Sequence, residues 1–254
     1  MTRDPVTAAR QAIACLDLTD LNDTSTAAAV ADLCARARTP HGPVAAICIW
    51  PRFVAGARPL LAGTGIRIAT VVSFPDGDHP SGDVLAMTRQ ALADGADEID
   101  LVVPYRALMA GQAGAVTARV REVRSACGGA LLKTILETGE LKDPGLIRAA
   151  AREALAGGAD FLKTSTGKVA VNATPDAARI LLEEILASGR PVGLKPAGGV
   201  RTTADAATYL DLADAVMGDG WARPASFRIG ASGVLADLLA TLDGSAPAKP
   251  AAGY

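Results

Sequence analysis

Histidine is nearly missing: the 254 residues include only His41 and His79, and aromatic residues make up 4%. Two histidines outside any metal-ligand spacing cannot build a His-rich zinc site, so neither a metal nor another cofactor is expected. Cysteine is also sparse. Cys15, Cys34, Cys48 and Cys127 lie far apart with no C-x-x-C pair, the usage of reduced thiols in a cytosolic chain. No charge of one sign dominates, since Lys+Arg total 25 against 27 Asp+Glu for a net charge of -2. Without a basic block the electrostatic footprint of a nucleic-acid binder is absent. No apolar run approaches the ~20 residues that a membrane span requires. The opening MTRDPVTAARQ has no apolar leader, so a cytoplasmic location is expected. Chemistry in such a chain must rest on lysines, carboxylates and backbone amides.

Half of the residues are hydrophobic, ample for one large core and too many for disorder. Short apolar runs alternate with helically spaced stretches from end to end, which points to a parallel sheet. Strands are expected over 13–17, 44–49, 66–74, 98–103, 131–137, 161–164, 192–195 and 227–230. Helical spacing is clear over 26–37, 84–93, 144–156, 175–187 and 204–212, with a final stripe of Val234, Leu235, Leu238, Leu239 and Leu242. Most strands read as continuous apolar runs because a parallel strand is buried on both faces. About eight strand–helix units predict an α/β fold, a single-domain (βα)8 TIM barrel over residues 1–243. The remainder, 244–254 (GSAPAKPAAGY), has the composition of a flexible tail.

The segments DGADEIDLVV and GGADFLKTST share a helix–Gly–Ala–Asp–strand turn. Asp97 and Asp160 in it fall at strand starts, the stability face of a barrel. The other charges interrupt apolar strands near their ends: Asp17, Asp100, Lys133, Glu137, Lys163 and Lys195. A charge buried without a partner is very costly, so these groups must meet one another or a ligand. Any one such lysine is most simply a paired structural charge; three lysines and two aspartates from different strands are a poorer fit to that reading. Two ammonium groups in a partly desolvated pocket lower each other's pKa and leave one nucleophilic, which suits Schiff-base formation with a carbonyl. The glycine-bearing segments TSTGK, PAGGVR and GASG follow strands six, seven and eight. Backbone N–H groups there suit a phosphate, and Ser232 can donate to it or cap the last helix. TSTGK lacks the upstream glycine of a Walker A loop, which argues against nucleotide hydrolysis.

The runs LDLTDLND, AAICIWPRF, ADEIDLVVPYRALMAG, LLKTILETGEL, GADFLKTSTGKVAVNATP and KPAGGVRT resemble the deoxyribose-phosphate aldolases over nearly the whole chain. The resemblance implies reversible aldol cleavage of 2-deoxy-D-ribose 5-phosphate to acetaldehyde and D-glyceraldehyde 3-phosphate, in deoxyribose phosphate catabolism. It implies Lys163 as the Schiff-base lysine, Lys195 as the second lysine that perturbs it, and Asp100 as the acid/base carboxylate. It further implies that Asp17 and Thr166 line the sugar hydroxyls and that Lys133 adds a charge to the network; each is equally readable as structural. Cys48 matches a cysteine near the substrate, or is a small core residue. Gly167, Lys168, Gly199, Gly230 and Ser232 match phosphate contacts, with Gly233 standing where many members have a second serine. Tyr254 matches a C-terminal tyrosine that assists proton transfer. The partner implied is a small phosphorylated sugar, with neither nucleic acid nor membrane, and a homodimer as the expected assembly. Two rivals remain: another lysine aldolase or transaldolase-like enzyme for a larger ketose phosphate, and a non-catalytic sugar-phosphate sensor, which predicts loss of one of Asp100, Lys163 and Lys195.

Overall fold

The computed structural model describes residues 3–245. Its eight barrel strands are β1 (Leu16–Asp20), β2 (Ala46–Ile49), β3 (Arg67–Val72), β4 (Glu98–Val102), β5 (Leu131–Ile135), β6 (Phe161–Lys163), β7 (Gly193–Lys195) and β8 (Ile229–Ala231). Every pairing between sequential neighbours from β1 to β7 is parallel, and β8 pairs with β1. Isolated parallel bridges from Leu194 to Phe227 and from Ala197 to Gly230 close the ring between β7 and β8. Helices follow the strands and cover the barrel outside, as expected of a (βα)8 domain.

Local chemistry sets the boundaries. Helices Pro144–Gly157 and Pro175–Ser188 begin with the proline whose missing N–H costs little, and are capped by Asp143 and Thr174 accepting from Leu146 and Ala177. Helix Thr203–Met217 opens with a reciprocal box in which Thr202 accepts from Asp205 N–H and Asp205 from Thr202 N–H. Helix Ala115–Cys127 buries Val116, Val120 and Val123 at helical spacing. The Gly-Ala-Asp turns behave as the sequence suggests: Asp97 and Asp160 each precede a strand and accept from a neighbouring strand's N–H, Ile68 and Leu132 respectively, both at 2.8 Å.

The first strand is displaced from the expected 13–17. Residues 13 and 14 complete an N-terminal helix, Pro5–Ala14, whose Asp4 cap accepts from Thr7 N–H and whose buried face is Ala8, Ala9, Ala12 and Ile13. The apolar run AIACL continues unbroken from helix into strand, so hydrophobicity alone does not mark the junction. Asp17 is therefore the second residue of β1, not its last. The expected tail begins where Gly244, in the left-handed region, ends helix Val234–Asp243. Its residues 246–254, Tyr254 among them, lie outside the described residues. Among the described residues no helix is long and apolar enough to cross a membrane.

Candidate active site

Parallel register brings the charged side chains level with one another. Asp100 on β4 pairs with Lys133 on β5, and Lys163 on β6 pairs with Lys195 on β7. All four are buried. Asp100 is the hub: its Oδ1 accepts from Lys133 Nζ at 2.7 Å, and its Oδ2 accepts from both Lys163 Nζ and Lys195 Nζ at 2.8 Å. Asp17 enters from β1, with its Oδ2 2.5 Å from Lys195 Nζ and 3.5 Å from Lys133 Nζ. The cluster thus runs into the barrel interior instead of standing only at the strand ends.

Two members of this cluster are absent from the sequence-based set of site residues. Glu98, first residue of β4, lies 2.6 Å from Lys133 Nζ. Arg228, just before β8, donates to Asp17 Oδ1 at 2.7 Å and to both oxygens of Glu98 at 2.8 and 3.1 Å. Their signal was present as charges inside EIDLVV and FRIGA, but both sit at strand starts, where the barrel rule directs attention to stability.

The pKa shifts separate the lysines. Burial pushes Lys163 down from the usual lysine value; Asp100 opposes this, and the neighbouring Lys195 ammonium reinforces it. Burial also disfavours charge on Lys195, but Asp100 and Asp17 outweigh it and hold its pKa well above the ordinary value. Lys133 is raised likewise: Asp100 and Glu98 overcome burial. Asp100 is held far below the carboxylate range because three lysines outweigh its desolvation. Of the three lysines only Lys163 is lowered, so it is the one that gives up a proton most readily and the candidate nucleophile, while the carboxylate beside it stays ionised.

Cys48 is wholly buried on β2, close enough to Lys195, Asp100 and Lys163 to feel their charges; burial, the largest cause, raises its thiol pKa and keeps it protonated. All four cysteines are free and buried. Around the mouth, Glu137 adopts a left-handed backbone (φ 54°) after β5 and accepts from the Thr166 N–H at 3.2 Å. Thr166 Oγ1 accepts from Lys168 N–H at 3.0 Å across Gly167, and Lys168 Nζ lies 3.8 Å from Asp23. Gly199 has φ 84°, a conformation that favours glycine. Ser232 is half-buried just ahead of the last helix, whose N-cap is Gly233 with no side-chain cap bond. Its capping alternative is thus excluded. Gly230 has a packing role as well: its N–H donates to Pro196 O, and a Cβ there would meet Ala197 Cβ at 2.9 Å and Lys195 Cε at 3.0 Å. The bare backbone makes room for the Lys195 stem. Among the described residues no group of three or more His, Cys, Asp or Glu could hold a metal ion.

A lysine with a lowered pKa beside one held charged, with a carboxylate joining them, is equipped to attack a carbonyl and manage the protons that follow. On a (βα)8 barrel this defines a Schiff-base-forming, class I aldolase. Known proteins agree. A model of the DeoC/LacD family aldolases matches residues 11–238, and the chain belongs to that family. It is 56% identical over 252 residues to the deoxyribose-phosphate aldolase of Agrobacterium fabrum, covering 98% of this chain and 97% of that one. An apo structure from Toxoplasma gondii ME49, of a proposed deoxyribose-phosphate aldolase, superposes with a TM-score of 0.88 at 27% identity, covering 95% and 98% of the two chains. Triosephosphate isomerase from Bartonella henselae shares the fold alone, at a TM-score of 0.57 and 17% identity over 91% and 98% of the chains.

Proposed function

We propose that this chain cleaves 2-deoxy-D-ribose 5-phosphate reversibly to acetaldehyde and D-glyceraldehyde 3-phosphate. The observation that carries the reading is the lowered pKa of Lys163 beside a cationic Lys195 and the ionised Asp100. Lys163 Nζ adds to the C1 aldehyde to give a carbinolamine, which loses water to form an iminium. The iminium draws the C2–C3 bonding electrons into a C1=C2 double bond as the C3 hydroxyl gives up its proton and becomes the aldehyde of glyceraldehyde 3-phosphate, which leaves while an enamine remains on Lys163. Protonation at C2 and addition of water release acetaldehyde and restore the lysine. Lys195 and Asp100 stand where they can pass protons at the carbinolamine, C2 and the C3 hydroxyl. The iminium supplies the electrophilic activation that a zinc aldolase takes from its ion.

Lys168, the turn at Gly167, the loop at Gly199, Ser232 and the uncapped start of the last helix suit the phosphate, because N–H groups and the helix dipole favour an anion there. Asp17, ion-paired with Lys195 and hydrogen-bonded by Arg228, acts on the sugar through Lys195. Buried, unpaired thiols suit a cytoplasmic setting, and the expected assembly is a homodimer. Tyr254 completes the proposed set as a proton-transfer residue.

Borohydride reduction in the presence of acetaldehyde, followed by peptide mass mapping, tests the reading. The expected adduct is on Lys163; an unmodified Lys163 in folded protein overturns the mechanism. Comparing cleavage of deoxyribose 5-phosphate with that of fructose phosphates separates it from the larger-ketose alternative, which predicts faster fructose phosphate cleavage.

A further inference from the structure

Among the described residues, the charges joined by ion pairs inside the barrel do not balance. The ion-paired set comprises the cations Lys133, Lys163, Lys195 and Arg228 and the carboxylates Asp17, Glu98 and Asp100. With every group ionised it carries one excess positive charge, all of it buried. Burial of an uncompensated charge is strongly unfavourable, so the set is under pressure to lose a proton. Arg228 cannot supply it, since a guanidinium does not deprotonate in a protein. The contact pattern decides among the lysines. Lys133 has Glu98, Asp100 and Asp17 within ion-pair distance, and Lys195 has Asp17 and Asp100. Among the described residues Lys163 is ion-paired with Asp100 alone, through an oxygen that it shares with Lys195.

We propose that Arg228 and Glu98 form a positioning pair for the reaction, in which the permanent charge of Arg228 makes Lys163 the group that gives up a proton while Glu98 offsets part of that charge and its contact with Lys133 leaves Lys133 protonated. The inference rests on the aldolase reading above and adds to it two residues that touch no substrate. Arg228 holds Asp17 through Oδ1 while Lys195 takes Oδ2, and it holds Glu98 through both oxygens while Lys133 also contacts Oε2. Its Nε donates to Pro224 O at 2.7 Å, and its guanidinium lies 5.7 Å from the Phe161 ring centre, so it is fixed in place. Burial and then the Lys195 ammonium lower the pKa of Lys163, so Arg228 acts on it at one remove, through the Asp17 carboxylate that it shares with Lys195. Lys133, Lys195 and Arg228 are raised by their carboxylates against burial. The other titratable groups facing Lys163 are Cys48, protonated by burial, and Glu137, which bonds the Thr166 N–H and makes no ion pair among the described residues. Cys15 faces Arg228 and is pushed up to about 12, chiefly by burial.

The test is the pH dependence of imine formation, read as the rate of borohydride trapping of acetaldehyde on Lys163. Arg228→Met leaves three cations against three carboxylates, so Lys163 keeps its proton and the acid limb moves to higher pH by about one unit. Glu98→Gln enlarges the cationic excess and moves the limb the other way. The double variant restores the excess to one, and its limb returns toward the wild-type position. Arg228→Lys, which keeps the charge without the fork, leaves the limb within a few tenths of a unit. A limb that stays put in both folded single variants, or that moves the same way in both, overturns the proposal. Glu98→Gln, which retains Arg228, decides the matter by itself if Arg228→Met does not fold: an unmoved limb refutes, a limb at lower pH supports. Wild-type protein that traps no acetaldehyde would refute the aldolase reading, which is a distinct result.

Discussion

Two sets of buried or half-buried charge lie within a few residues of each other along the same strands. At the strand starts, Asp97 and Asp160 each accept from a backbone N–H and pair with one arginine, Arg58 at 2.9 Å and Arg124 respectively. These pairs are one to one, and they keep contact with solvent: the side chains of Asp97 and Asp160 are 26% and 42% exposed. Three residues further along in each case stand Asp100 and Lys163, both closed off from water and sharing partners in unequal number. The lesson is about stoichiometry. A satisfied one-to-one pair at the barrel's base has a structural role: it ties a strand start to its neighbour. A crowded, unequal set leaves one proton weakly held, and that proton is the one the chemistry uses.

The largest effect expected from breaking this contrast comes from Lys163→Met. Turnover should fall roughly 10^4-fold or more, while stability rises by about 1–2 kcal/mol, because the methionine removes the excess charge and keeps the stem's packing. Steady-state kinetics and urea unfolding on the same preparation check both halves; a loss of stability would contradict the charge count. Asp100→Asn comes next. It takes the shared acceptor away from three lysines, and is expected to cost about 3–5 kcal/mol of stability with a turnover loss of roughly 10^2- to 10^4-fold.

Asp97→Ala should cost about 1–3 kcal/mol by leaving the Ile68 N–H without its acceptor, yet leave kcat and KM as they are. A changed kcat would show that the two sets of charge are not separate. The smallest effect is in the pH dependence of stability. Lys163 has a lower pKa folded than unfolded, so between its folded value and about 10.4 the unfolded chain holds more protons and stability rises with pH. Wild type and Lys163→Met should therefore draw together as pH increases through that window. Asp17 and Asp100 act at the other extreme. Their folded pKa values are lowered, by lysines for both and Arg228 for Asp17, against burial that would raise them. Their contribution is present above about pH 4 and is lost only as pH falls through the lowered values. Urea midpoints across pH measure both trends.

Much of this was legible in the residues. The apolar strand cores, the proline-led helices, the Gly-Ala-Asp turns and the lysines interrupting apolar runs each carry a local physical signature. The junction at residues 13–17 did not, because helix and strand share one continuous apolar run there. Gly230 read as a phosphate contact from its place in GASG, and that it also clears the path of Lys195 is a constraint imposed by a strand that is distant in sequence. Arg228 and Glu98 are 130 positions apart, and no pattern within either segment announces the other.

The sequence by itself determined the (βα)8 architecture and a lysine-based class of chemistry, since periodicity, turn residues and strand-end charges are properties of short stretches of chain. The choice of Lys163 as nucleophile came from the resemblance of its motif to the aldolase family. The tertiary structure alone decided which lysine holds its proton least tightly. That depends on how many carboxylates each ammonium meets and on one arginine's charge at the bottom of the cluster, and both are set by the closing of the barrel, which places Arg228 beside Asp17 and Glu98.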